Sequence, residues 1–210
     1  NRSPFLVLKK ADLFIKALSK IRLIDYDGLS LNGGMTLNSG RGMEIIEPVV
    51  KEIHKVYPTL NIAIEITPPK DLTWINRLKE AGVSSLMMNL ECWDDEIRKE
   101  IIPGKNKLCS KEMYMKAFEQ AVDVFGNGKV SSCFVIGTER PESIKEGIRV
   151  ITDLGVVPSP LAGRYFEDIP DYPFIPRVSF YELIDVMVYT NKLMYEKGLI
   201  STDTSGCVAC

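Results

Sequence analysis

The sequence of 210 residues is poor in the side chains from which the simplest catalytic sites are built. It holds one histidine, His54, which excludes any site that needs two imidazoles, whether for a metal or for proton relay. His54 falls on the polar side of an expected helix and is given no metal or catalytic role. There are two tryptophans, Trp74 and Trp93, and both read as packing residues rather than ligand platforms. No apolar run approaches the roughly 18 residues of a membrane span, and the first residues do not form a signal peptide. The reading is therefore a cytoplasmic protein with no membrane partner. Charge of neither sign is in excess: 26 Lys and Arg face 28 Asp and Glu, for a net charge of -2, so nothing electrostatic favours nucleic acid. The 5 cysteines are odd in number and irregular in spacing, which argues against a disulfide framework and fits a reducing compartment.

What is present is an alternation of two periods. Leu13, Phe14, Ala17, Leu18 and Ile21 recur at helical spacing, and a short apolar run follows at 29–31. Ile45, Ile46, Val49, Val50, Ile53 and Val56 mark the next helix, closed by Pro58, and 61–66 is a strand stopped by Pro68 and Pro69. Leu72, Ile75 and Leu78 line a third helix ending at Gly82, before a strand at 84–90. Asp94, Asp95 and Glu96 suit the opening of a short helix, where acids meet the positive end of the helix dipole. A longer helix carries Met113, Ala117, Phe118, Ala121, Val122 and Phe125 and ends at Gly126. Strands at 130–136 and 156–162 flank a helix marked by Ile144, Ile148 and Ile151, and a last helix covers 179–197.

One strand per helix, without hairpin signals, predicts an α/β fold with a parallel sheet wound by right-handed crossovers. The architecture expected is a partial (β/α)6 TIM-like barrel over residues 1–200, with a cysteine-containing tail at 201–210. In such folds the chemistry sits at the C-terminal ends of the strands. Those ends carry Asn32, Gly33, Gly34 and Met35, then Glu65 and Thr67, then Asn89 and Glu91, then Ile136, Gly137, Thr138 and Glu139, and last Gly163 and Arg164. Glycines after a strand allow close approach of a ligand, while carboxylates and amides suit hydroxyls and an amino group. Each glycine also fits a tight corner and each acid a helix cap. Five strand ends in register tip the reading to a site for a polar, nucleoside-like ligand.

These stretches resemble, in order and separation, the S-adenosylmethionine-binding motifs of radical S-adenosylmethionine (SAM) enzymes of the biotin- and lipoyl-synthase-like branch. Leu31-Asn32-Gly33-Gly34-Met35 is similar to the family's Gly-Gly-Glu motif, whose backbone carbonyls meet the methionine amino group; Met35 stands in place of the acid. Met88-Asn89-Leu90-Glu91 resembles an Asn-Leu-Glu/Asp stretch that approaches the ribose and the methionyl end. The run from Ser132 to Glu139 looks like the Gly-Ile-Val-Gly-Leu-Gly-Glu segment beside the adenine, and the likeness continues through Pro158-Ser159-Pro160-Leu161 into Arg164-Tyr165-Phe166. Arg164, Tyr165 and Glu167 are candidate substrate or SAM contacts, or loop residues of the surface.

The resemblance implies SAM and a [4Fe-4S] cluster as cofactors, and reductive cleavage of SAM to a 5′-deoxyadenosyl radical. That radical would abstract hydrogen from a small-molecule or protein-bound substrate. The family's Cys-x-x-x-Cys-x-x-Cys loop is absent, because Cys92, Cys109, Cys133, Cys207 and Cys210 have no such spacing. In the family that loop follows the first strand and precedes the first helix, and this chain begins at Asn1 just before its own first helix. The expectation is that a first strand and the cluster ligands belong to an N-terminal piece outside this chain. The competing reading is a non-catalytic barrel module that binds SAM or a nucleotide without a cluster. A Schiff-base barrel enzyme needs a lysine at a strand end; the motif loops contain none, and Lys70 lies beyond two prolines.

Two further motifs remain. Gly126-Asn127-Gly128-Lys129 lies between a helix and the next strand, on the wrong side of the sheet for a phosphate loop, and reads as a helix C-cap and turn. Cys207 and Cys210 form a Cys-x-x-Cys pair that suits a second metal, zinc or iron, or a redox dithiol, with Cys92 or Cys133 the nearest internal thiols to add a ligand. Two free thiols on a tail are the alternative.

Overall fold

The computed structural model describes residues 10–21, 28–163 and 178–200. Along them run α1 (Ala11–Leu18), β1 (Leu29–Asn32), α2 (Met43–Val56), β2 (Ile62–Glu65), α3 (Thr73–Ala81) and β3 (Ser85–Met87). Then come α4 (Asp95–Ile101), α5 (Pro103–Leu108), α6 (Lys111–Phe125), β4 (Val130–Ile136), α7 (Pro141–Asp153), β5 (Val157–Ala162) and α8 (Phe180–Glu196). The five strands form one parallel sheet in the order β1-β2-β3-β4-β5. Each strand is added beside the one before it, so every crossover steps in the same direction. That winding makes a barrel rather than a doubly wound sheet, and the fold is a partial TIM-like α/β barrel. Among the described residues β1 pairs only with β2 and β5 only with β4, so the outer side of β1, where a further strand was expected, has no described partner.

The pleat sorts the strand residues into two sets. Leu31, Ile62, Ile64, Leu86, Val130, Phe134 and Ile136 are buried in the main core, packed with the helical stripes Val50 and Ile53 of α2, Ile75 and Leu78 of α3, Phe118 of α6 and Ile148 of α7. The alternate positions are mostly smaller or polar, Ser30, Asn32, Ala63, Glu65, Ser85, Ser131 and Cys133, with Met87 and Val135 the larger apolar members. Because the period of a strand is 2, this alternation turns one sheet face to the helices and gives the other a largely polar lining. Asn32 and Glu65 stand opposite each other in the register.

Helix ends follow local chemistry. Ser110 and Ser179 cap α6 and α8 by accepting from the amides of Met113 and Glu182. Pro141 opens α7. Gly82 closes α3 at φ 107°, and a methyl group there would enter the ring of His54, 2.4 Å from its nearest atom. His54 is thus half-buried against Gly82 rather than on a purely polar face, and its Nδ1 is buried without a hydrogen-bond partner among the described residues. The turn after α6 is as expected, with Gly126 at its C-cap.

Two features depart from the periodicity. The third strand is shorter than 84–90: the regular ladder stops at Met87, and the chain rejoins β4 only through a bridge between Glu91 and Phe134. In the interval, side chains replace backbone partners. The Leu90 amide donates to Ser132 Oγ at 3.0 Å, and the Cys133 amide donates to Asn89 Oδ1 at 3.1 Å. The second departure is α5, a six-residue helix with Pro103 in its first turn, placed where no apolar stripe announces it.

Glu47 of α2 is buried and joins α2 to α3 through Arg77, with Nη2 2.5 Å from Oε2, while Lys51 reaches Oε1 at 2.8 Å. Burial alone would raise its carboxyl, but the hydrogen bonds and charges of Lys51 and Arg77 outweigh that and hold it below the ordinary 4.5. Since the folded value is depressed, this contribution to stability is fully present above about pH 4.5 and is lost as pH falls through the folded value. Urea midpoints measured from pH 6 down to pH 3 should therefore fall more steeply in the parent than in Glu47→Gln. Parallel curves would remove Glu47 from the account of acid sensitivity.

Candidate active site at the C-terminal ends of the strands

The loop after β1 is held by its own helix. The Glu44 carboxylate accepts from Thr36 Oγ1 at 2.7 Å, Asn38 Nδ2 at 3.0 Å and the Gly42 amide at 3.1 Å. Burial opposes its ionisation, yet these hydrogen bonds prevail and keep the carboxyl below its ordinary value. Gly33 and Gly34 differ in what they permit. A Cβ at Gly33 would lie 2.4 Å from Cδ1 of Ile46, so a side chain there would need the end of Ile46 to move aside. At Gly34 a side chain would meet nothing within 4 Å. Its openness has no packing cause, and among the described residues no donor reaches the carbonyls of Gly34 or Met35. Neither carbonyl is spent on a described hydrogen bond, although the Gly34 oxygen packs close to Gly42, where a Cβ would lie 2.5 Å from it.

Three loops are sewn together beneath this edge. Arg41, 2% exposed and with φ 50°, sends Nη1 to the Pro68 carbonyl at 3.2 Å and Nη2 to the Leu108 carbonyl. It thereby ties the loop after β1 to the loop after β2 and to α5. Lys70 adds its amide to the Ser39 carbonyl at 2.8 Å and Nζ to the Leu37 carbonyl at 2.9 Å.

The end of β3 carries the densest polar arrangement. Asn89 donates Nδ2 to Glu65 Oε1 at 2.7 Å while its Oδ1 accepts from Cys133, so one amide spans β2, β3 and β4. Glu91 has φ 71°, a left-handed conformation that costs a residue with a side chain about 1–2 kcal/mol. Strain of this kind persists where surrounding structure over-determines it, commonly at functional sites. Here the over-determination is visible: the Glu91 amide donates to the Cys133 carbonyl at 2.9 Å, and its own carbonyl accepts from Val135 at 2.8 Å. Lys105 of α5 reaches Glu91 Oε1 at 2.9 Å and the Asn89 carbonyl at 2.7 Å. Oε2 of Glu91 has no described partner.

The structure thus brings Asn32, Gly33, Gly34, Glu65, Asn89, Glu91 and Gly137 to one edge of the sheet. Met35 and Thr67 lie in the same loops, Met35 exposed and Thr67 half-buried. Other expected residues are engaged elsewhere. Ile136 buries its side chain in the core, and its carbonyl accepts from Gly163 at 2.9 Å. Both oxygens of Glu139 are taken, by the amides of Trp93 and Asp94 and by Ser143. Glu139 therefore latches the loop after β3 to the loop after β4. Arg164, Tyr165, Glu167, Cys207 and Cys210 lie outside the described residues. Cys92 and Cys133, the internal partners considered for the tail, are buried, and burial pushes their thiols up to about 11 and about 12. Neither is disposed to supply a thiolate, and among the described residues no group of three metal-ligating side chains exists. A groove of about 540 Å³ beside Trp93, Lys111 and Arg140 is lined by none of the strand-end candidates.

Sequence reasoning missed Lys105, Arg98 and Arg41. Arg98, in α4, is fully buried with no described ion pair and donates to the carbonyls of Leu90, Cys92 and Cys109. Two of those carbonyls flank the strained Glu91. Nothing in the charge pattern separates these three cations from solvated ones; the one local signal is an arginine between Gly40 and Gly42.

Set against known proteins, no family model matches the chain. Its sequence is similar to the bacteriochlorophyllide c C-7(1)-hydroxylase of Chlorobaculum limnaeum, 28% identical over 141 residues that cover 63% of this chain and 35% of that protein. Its fold is similar to that of coproporphyrinogen III oxidase from Escherichia coli, a radical SAM enzyme, with a TM-score of 0.59 and 17% identity over 92% of this chain and 47% of the other. It is also similar to the catalytic domain of a chitinase from Pyrococcus furiosus, with a TM-score of 0.50 and 10% identity over 87% of this chain. The chain spans about a third of the length of the hydroxylase and less than half of the oxidase. Two differently named enzymes on one scaffold establish the barrel, while function rests on the site itself.

Proposed function

We propose that this chain forms the SAM-binding part of a radical SAM enzyme. The observation that carries the reading is the convergence of Gly34, Asn89 and a strained, half-satisfied Glu91 on one sheet edge, at the stretches that resemble the family's SAM motifs. The carbonyls at Gly34 and Met35, without a described donor, suit an amino group, and the free oxygen of Glu91 suits ribose hydroxyls. Support also comes from the likeness in fold to the oxidase, a radical SAM enzyme, and from the partial likeness in sequence to the hydroxylase. The Asn89-Leu90-Glu91 stretch favours the biotin- and lipoyl-synthase-like branch.

SAM, when bound, supplies the radical chemistry; the chain's residues bind it, orient it and limit water around it. The residues present do not fit the cluster, since the sequence contains no Cys-x-x-x-Cys-x-x-Cys and the described cysteines are buried neutral thiols. On this reading its ligands come from sequence outside the chain, and the substrate is a small molecule or a protein-bound group. The same observation favours a second reading, a SAM-binding module without a redox centre. Iron content and visible absorbance of the intact protein, prepared anaerobically, separate the two. Brown, iron-containing protein that releases 5′-deoxyadenosine on reduction is the expected result. Colourless, iron-free protein that still binds SAM would leave the module.

A further inference from the structure

The α4–α5 segment lies between β3 and α6 and sends two side chains to the strand end that the proposed site uses: Arg98 to the carbonyls beside Glu91, and Lys105 to the Glu91 carboxylate itself. Its placement is built rather than incidental. Pro103 opens α5, the Cys109 amide closes it on the Lys105 carbonyl at 2.8 Å, and Arg41 and Arg98 hold the carbonyls of Leu108 and Cys109 from two sides. The lysine stem passes near the buried Tyr114, with Nζ 5.9 Å from the ring centroid. Its ammonium then meets Glu91 Oε1 and the Asn89 carbonyl together. Both side chains of the pair are partly shielded, at 21% and 28% exposure, so the pair is better defined than a surface one.

A carboxylate on a free side chain rotates, and its two oxygens are equivalent. Held at Oε1 by a fixed ammonium, and with its backbone locked in the left-handed region, Glu91 has one rotational setting and one open oxygen. Oε2, with the remaining lone pair of Oε1, then offers two acceptor positions of fixed spacing, which suit two adjacent hydroxyls. We propose that Lys105 is a positioning residue that orients Glu91 and so makes this strand end a reader of the ribose cis-diol. The proposal rests on the reading of this edge as a nucleoside site.

The test uses adenosine, which has the diol but no carboxylate for Lys105 to bind. By isothermal titration, Lys105→Met should weaken adenosine about tenfold, the cost of losing a charged hydrogen bond's worth of orientation. It should also erase the preference for adenosine over 2′,3′-dideoxyadenosine, which a general loosening of the fold would not do. Lys105→Arg should restore part of that preference, and Lys105→Met should have no further effect in a Glu91→Gln background. If Lys105→Met weakens SAM but leaves adenosine and its diol preference unchanged, Lys105 touches the ligand's carboxylate and the positioning role is overturned. If Glu91→Gln weakens adenosine while Lys105→Met does not, the positioning role falls and the site reading stands. If neither variant changes adenosine binding, or the parent chain does not bind adenosine, the reading of the strand end falls and takes the proposal with it.

Discussion

Replacing Arg98 with methionine is expected to cost about 3–5 kcal/mol of folding stability, because a buried partner is removed while the groups it satisfied remain buried. The guanidinium is fully buried and donates to the carbonyls of Leu90, Cys92 and Cys109 and to Asn106 Oδ1. A buried ion pair can often be exchanged for apolar side chains with little loss, since both charges leave together. That route is closed here: the acceptors are main-chain carbonyls, and no substitution deletes them. The Leu90 carbonyl would keep the Cys92 amide at 3.0 Å, but the Cys92 and Cys109 carbonyls would be left without a described donor at about 1–3 kcal/mol each, and the left-handed Glu91 between Leu90 and Cys92 loses part of what holds it. Arg98→Lys should fall between parent and Arg98→Met, because an ammonium cannot span three carbonyls in the fork geometry of a guanidinium. Thermal unfolding should show Arg98→Met lowered by roughly 10 °C, on the scale for a domain of this size. A shift of only a degree or two would mean that water replaces the guanidinium without cost, and that Arg98 does not set the shape of the strand end.

The parts of this molecule that were legible in the sequence are those governed by a repeating pattern. The stripe Val50, Ile53 on α2 and the alternation Ile62, Ile64 on β2 announce themselves because burial selects apolar side chains at the period of the element. The same logic placed Gly33, Glu65, Asn89 and Glu91 at one edge, since parallel strands of a right-handed winding all end on the same side. The details of the site obey no period. The ladder of β3 ends early because a serine hydroxyl and an asparagine amide take over two backbone hydrogen bonds, and one serine or one asparagine carries no advance mark of that use. Glu139 matched a motif position, yet its carboxylate binds two amides and a hydroxyl within the protein. Arg41, Arg98 and Lys105 belong to loops and short helices whose placement depends on contacts across 60 or more residues in one case, from Arg41 to Leu108 (|i−j| of 67). Pattern reading finds the scaffold and the edge; the side chains that rigidify the edge are found only in three dimensions.

The largest effect on ligand binding is expected from Glu91, and its variants separate strain from recognition. In Glu91→Ala the free carboxylate oxygen is gone, and SAM affinity should fall roughly 10- to 150-fold, the equivalent of the 1.5–3 kcal/mol carried by a charged hydrogen bond. Asn89→Ala should weaken SAM in the same direction, since its amide fixes Glu65 and the Cys133 amide around the same edge. Glu91→Gly loses the same carboxylate, but at φ 71° glycine escapes the left-handed penalty that alanine still bears. Glu91→Gly should therefore be more stable than Glu91→Ala by about 1 kcal/mol while binding SAM no better. Titration calorimetry with SAM and urea unfolding of the three variants check both halves. Equal stability of the glycine and alanine variants would show that the backbone relaxes out of the left-handed region and that the strain is not imposed by the fold. Unchanged SAM affinity in both Asn89→Ala and Glu91→Ala would remove the end of β3 from the binding site altogether. Loss of affinity together with the glycine advantage would mean that the fold holds Glu91 in a costly conformation for the sake of the ligand it meets there.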